Sequence, residues 1–128
     1  MTINLEQAKR LRELGVRKNS QFVWCTVYAD NKYWDKILYE GKLTEDDLNA
    51  FETILPAYNA EELIKLLRSK EHMPIEIYSH GDGFMFHQEG SFAAGEDDIY
   101  GNTLTEALAD KLIFDIENGI ITPEEINK

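Results

Sequence analysis

Residues 21–41 read QFVWCTVYADNKYWDKILYEG, and this stretch decides the fold class. Its first run is aromatic and β-branched, its middle is Ala29-Asp30-Asn31-Lys32, and YWDKILY follows. Aromatic and β-branched side chains fit a pleated surface, and Asp and Asn tolerate the backbone of a tight turn. The pattern therefore predicts an antiparallel hairpin over about residues 21–40. Alternation along a strand sends Phe22, Trp24, Thr26 and Tyr28 to one face, and Val23, Cys25 and Val27 to the other. Trp24, Tyr28, Tyr33, Trp34 and Tyr39 are enough to cover both faces of a two-stranded ribbon. One face must pack on the rest of the chain. The other is a candidate aromatic binding patch, with Trp24, Tyr28 and Trp34 as its candidate residues, because interfaces enrich such side chains. The plainer reading is a sheet covered by helices on both sides.

Helical signals flank the hairpin. Leu5, Ala8, Leu11 and Leu14 recur at three-residue steps and Gly15 follows, which predicts a helix over about 4–14. Three acids after Thr44 suit a helix start, predicting a helix over about 45–55 with Pro56 just beyond. Asn59 and Glu62 have capping-box spacing ahead of a helix over about 60–69, and Thr103 and Glu106 repeat it ahead of one over about 104–118, ended by Gly119. Between them PIEIYSHGDGFMFHQEG alternates around Gly81-Asp82-Gly83, predicting a second hairpin over about 75–88. The closing TPEEINK reads as a polar tail. The expectation is one α+β domain over residues 1–128. Its two hairpins join in one antiparallel sheet of four to five strands, packed with four helices.

Composition narrows the class. With 43% apolar residues, six Phe, six Tyr and two Trp, the chain has material for a core, unlike an acidic disordered tail. No apolar run approaches the ~20 residues of a membrane span. The start reads as a charged helix rather than an export signal, and one cysteine cannot form an internal disulfide; both predict a cytoplasmic protein. Cys25, inside an apolar run, reads as a buried structural thiol.

Charge is divided unevenly. Residues 1–70 hold eleven acids and eleven bases, whereas residues 71–128 hold thirteen acids against Lys111 and Lys128, which is the whole net charge of −11. Such a surface repels nucleic acid and anionic membranes and favours basic partners, among them a basic protein, or cations. Glu96, Asp97 and Asp98 are the candidate contacts there.

Chemical motifs are sparse. His80 and His87 flank the second turn and come within reach across the strands if that turn is tight, but a zinc site wants three or four ligands in fixed geometry. Glu45-Asp46-Asp47 is explained by a helix start, and Glu96-Asp97-Asp98 lacks the alternating oxygen ligands of a calcium loop. There is neither a nucleophile elbow nor a Gly-rich phosphate loop. The expectation is a non-enzymatic protein without a cofactor.

LEQAKRLRELGV, PAYNAEELIKLL and TLTEALADKLIFDIENG together resemble small uncharacterised proteins of phages, prophages and other bacterial mobile elements. The resemblance implies an accessory role and carries over no site residue. The hairpin, acidic loop and TLTEALADKLI order also resembles antitoxins of the HicB type, although the Gly-Tyr strand and Pro-Gly-Cys segment of that family are missing here. The expected function is protein binding by an accessory protein of phage or prophage origin, through the acidic C-terminal half or the aromatic hairpin. The alternatives are a DNA mimic that occupies a host DNA-binding protein and an antitoxin-like module.

Overall fold

The computed structural model describes residues 2–39, 41, 43–46, 51–69, 75–80, 83–88 and 103–128. The elements are α1 (Leu5–Glu13), β1 (Phe22–Ala29), β2 (Lys32–Tyr39), β3 (Phe51–Pro56), α2 (Ala60–Leu67), β4 (Ile75–His80), β5 (Gly83–Gln88), α3 (Leu104–Glu117) and α4 (Pro123–Asn127). The chain is α+β, as its patterning predicts.

The first hairpin forms as read. β1 and β2 pair over eight positions, from Phe22 opposite Tyr39 to Ala29 opposite Lys32. Asp30 and Asn31 occupy the turn with φ of 54° and 63°. Two successive left-handed residues make the turn whose twist matches the strands, and Asp and Asn tolerate it better than other non-glycine residues. Asn31→Val, which puts a β-branched side chain there, is expected to lower stability by about 1–2 kcal/mol in urea unfolding, whereas Asn31→Gly should hold or raise it.

Two sequence expectations are corrected. Within the helix expected over 45–55, residues 45–46 are helical, but Phe51–Pro56 is a strand. Apolar residues at 51, 54 and 55 mimic helical spacing, yet Phe, Thr and Ile also suit a strand, and β1 offers an open edge to pair with. β3 takes that edge antiparallel, from Val23 opposite Pro56 to Val27 opposite Phe51, with a bulge at Thr26/Val27. The second correction follows from the first. Strand order is β2–β1–β3, and β4–β5 form a separate two-stranded ladder, so among the described residues the hairpins do not join in one four- to five-stranded sheet. β3, rather than a strand of the second hairpin, extends the first hairpin's sheet, while β5 lies beside α3.

The hydrogen-bonding phase of the sheet is fixed. The Phe22 carbonyl accepts from Ala57 N–H at 2.8 Å, so the even-numbered residues of β1 turn their backbone groups toward β3. Odd-numbered residues therefore face β2, as the tight turn also requires. Pro56, opposite Val23, consequently sits where its nitrogen points away from β1, the place a strand tolerates proline.

Helix ends obey their signals. Asn4 accepts from Gln7 N–H at 2.8 Å and Asn59 from Glu62 N–H at 2.9 Å, each within a complete capping box. Gly15 (φ 98°) and Gly119 (φ 72°) terminate α1 and α3. At the first of these, Val16 N–H reaches Leu11 O and Gly15 N–H reaches Arg12 O, the paired bonds that satisfy the last carbonyls of a helix. The expected polar tail is instead α4, with Thr122 and Glu125 as a capping box, Pro123 in the first turn and Ile126 buried.

These helices enclose the core. Ile3, Leu11, Tyr58, Leu63, Leu67, Leu108, Leu112, Ile121 and Ile126 are essentially inaccessible and belong to one cluster, with Leu55 carrying the sheet into it. Buried polar bonds tie the parts together. Gln7 Nε2 donates to Glu106 O (2.9 Å) and to Asp110 Oδ1 (2.8 Å), fixing α1 on α3. Gln7→Glu keeps the shape but replaces the donor with a carboxylate facing both acceptors. It should cost about 2 kcal/mol at neutral pH. Repulsion from Asp110 raises the introduced carboxyl's pKa in the folded state, so stability should recover as pH falls. Urea midpoints at two pH values check both parts.

Candidate functional site

Among the described residues, the large exposed apolar side chains lie on the first hairpin. Cross-strand partners share a face, so Phe22, Trp24, Thr26 and Tyr28 join Tyr39, Ile37, Asp35 and Tyr33 on one side. Val23 and Cys25 lie on the other side with Lys32, Trp34 and Lys36. Tyr28, Tyr33, Trp34, Ile37 and Tyr39 are 41–66% exposed, although each is large and apolar. Singly exposed apolar residues are ordinary, but five on one hairpin are not.

Local contacts hold the rings in place. Tyr28 and Tyr33 are cross-strand partners with centroids 4.9 Å apart, and Tyr39 meets Phe22 edge-on at 5.7 Å. Gly41 is part of this arrangement: a Cβ there would come within 2.8 Å of the Tyr39 ring. Asp35, the carboxylate on this face, accepts from Thr26 Oγ1 at 3.0 Å.

Two hollows border the face. One, of about 410 Å³, is lined by Thr2, Ile3, Asn4, Phe22, Trp24 and Ile37. The other, of about 360 Å³, lies past Tyr39 and is lined also by Asn19, Ser20, Gln21, Gly41 and Glu62. Glu62 accepts from Ser20 Oγ (2.8 Å), Gln21 N–H (3.0 Å) and Asn59 N–H (3.0 Å). Its carboxylate joins the segment leading into β1 to the head of α2.

The structure separates the candidate residues. Trp24 is half-buried against the core, with its indole N–H donating to Ile3 O at 2.9 Å, so it forms the floor of the first hollow rather than an exposed patch. Tyr28 is on the same face and exposed, while Trp34 is exposed on the opposite face. Tyr33, Ile37 and Tyr39 complete the surface; their shared odd-numbered phase along β2, with Asp35 between the first two, was the signal that Trp24, Tyr28 and Trp34 alone did not carry. Glu96, Asp97 and Asp98 lie outside the described residues.

The other chemical candidates do not converge. His80 pairs with Gly83 and His87 with Glu76, so the register sets the two histidines about 13 Å apart along the ladder, not across from each other. Gly83 belongs to β5 rather than to the turn. Among the described residues, no three His, Cys, Asp or Glu side chains gather as a metal site would. Cys25 is inaccessible, and burial pushes its thiol pKa up, away from the thiolate that a nucleophile needs.

Part of the C-terminal acidity is answered internally. Lys111 Nζ lies 2.9 Å from Asp115 Oδ1, with both side chains fully buried. Arg10 of α1 comes within 3.7 Å of Glu117. No described helix is long and apolar enough to cross a membrane.

No protein-family model, no curated protein and no solved structure matches this chain.

Proposed function

We propose that this chain is a non-enzymatic protein-binding module whose docking surface is the exposed aromatic hairpin β1–β2. One observation carries the reading: Tyr28, Tyr33, Trp34, Ile37 and Tyr39 stand in solvent on a regular ladder, with Tyr39 and Ile37 at the walls of two hollows. Tyr and Trp give large contact area at small conformational cost, and hollows beside them accept a partner's side chains. The resemblance of the helical segments supports an accessory role in a phage, prophage or other mobile element.

The second reading places a basic partner on the acidic C-terminal half, as a DNA mimic or an antitoxin-like module would. It is favoured by the burial of Lys111 with Asp115, which takes up one charge of each sign and leaves the other twelve acids of residues 71–128 with Lys128 as the one remaining base of that half.

A photo-crosslinking amino acid at Tyr33, with one at exposed Glu61 on α2 as the control, tests the first reading. Irradiation in the producing cell should join another polypeptide to the Tyr33 position and not to the Glu61 position. Equal crosslinking at both, or none at Tyr33, would remove the hairpin from consideration.

A further inference from the structure

We propose that the outer edge of β2 is a strand-addition site. An extended segment of a different polypeptide pairs there with the backbone of Tyr33, Asp35, Ile37 and Tyr39, and sets acidic side chains beside Lys32 and Lys36. This rests on the hairpin being the docking surface and specifies what docks.

The backbone phase supplies the first argument. β1 uses its odd-numbered residues toward β2, so their partners Lys32, Trp34, Lys36 and Leu38 turn inward. Tyr33, Asp35, Ile37 and Tyr39 then present N–H and C=O groups outward, where β2 has no neighbour among the described strands. The same four residues line the aromatic face, so one docked strand would meet both the unused backbone groups and the exposed rings.

The two sheet edges differ. β3 is shorter, carries the bulge opposite Val27 and ends in Pro56, devices that discourage edge pairing. β2 runs in register over all eight residues, without proline or bulge. An edge of that length and regularity is a template for another strand.

Charge selects the occupant. Antiparallel pairing of β2 with a second copy must bring same-face residues together. The two registers of greatest overlap then set Asp35 against Asp35 of the copy, or Lys36 against Lys36 of the copy, and directly opposed like charges disfavour pairing. A different strand escapes this penalty. Lys32 and Lys36 flank Trp34 on one face, so acids on that side of the incoming strand complement them. Apolar residues on its other side meet Tyr33 and Ile37.

A displayed random-peptide library selected on the full chain supplies the probe. Selected peptides should alternate acidic with apolar residues. Replacing the Ile37 amide N–H with an ester oxygen, side chain intact, should weaken their binding about tenfold. Amide exchange at Tyr33, Asp35, Ile37 and Tyr39 should slow on binding. If the ester binds equally well while Tyr33→Ser and Ile37→Ser lose affinity, strand addition is overturned and side-chain docking on the same face survives. If those four amides are already protected in the free chain, the edge is covered and the proposal fails. Selected peptides indifferent to every one of these changes would overturn the docking surface as well.

Discussion

Asp115→Ala is expected to lower stability by about 3–5 kcal/mol, enough to unfold much of a domain of this size at ambient temperature. Asp115 and Lys111 lie one turn apart on α3, both inaccessible, with Lys111 Nζ 2.9 Å from Asp115 Oδ1 and 5.6 Å above the Phe114 ring. Desolvating two charges is costly, and their attraction offsets that cost only while both are present. Removing the carboxylate leaves the buried Lys111 ammonium without its Asp115 partner. Lys111→Met combined with Asp115→Leu should return most of the loss, since apolar side chains of similar volume need no counter-charge. Urea unfolding of the three proteins makes the comparison. A single variant within 1 kcal/mol of the parent would show that the pair is solvated in solution.

Tyr58→Ala is expected to cost about 3–5 kcal/mol, the usual result of emptying a buried aromatic site. Tyr58 lies between β3 and α2 at 2% exposure, and its hydroxyl donates to Lys18 O while its carbonyl accepts from Ile3 N–H. The residue thus joins three parts: its backbone holds the N-terminal segment, its hydroxyl holds the approach to β1, and it directly precedes the Asn59 cap of α2. Tyr58→Phe keeps the packing and orphans one carbonyl, so it should cost about 1–2 kcal/mol. Burial pushes the phenol pKa well above its ordinary value. The folded state therefore holds the proton more tightly than the unfolded one, and Tyr58 contributes stability in full below about pH 10, which is lost as pH rises beyond it. The alkaline decline in stability should be shallower in Tyr58→Phe.

Local chemistry made much of the fold legible. Asn59, Thr103, Gly15 and Gly119 marked helix ends because capping depends on side chains and backbone within a few residues. Ala29-Asp30-Asn31-Lys32 marked the turn for the same reason. β3 was misread because Phe51, Ile54 and Leu55 satisfy helical spacing as well as strand composition, and the deciding fact, an open edge on β1, is tertiary. α4 was missed although Thr122, Pro123 and Glu125 are a cap, a first-turn proline and its reciprocal acid. The reading of the final residues as a tail ignored Ile126, which the core needs. Lys111 was counted as surface charge because nothing local distinguishes a lysine that neighbouring elements will cover.

The candidate surface was legible in composition and not in arrangement. Aromatic crowding at 22–39 was plain, but which rings face solvent depends on where the helices pack. That packing takes Trp24 partly into the core and leaves Tyr28 and Tyr33 exposed with their rings tilted against each other, while strand alternation puts Trp34 on the opposite face. Tyr33, Ile37 and Tyr39 share a face with Tyr28 only once the register is known.

The most direct measurement of the central claim is co-purification from the producing cell at high salt. It compares the parent chain with a Tyr28→Ser, Tyr33→Ser, Ile37→Ser variant whose melting temperature is measured alongside. A docking face built of rings predicts a stoichiometric partner that survives high salt on the parent and is lost from a variant that still unfolds cooperatively near the parent temperature. A partner retained by the variant, or released from the parent by salt alone, would contradict the account and move the binding surface to the acidic C-terminal half.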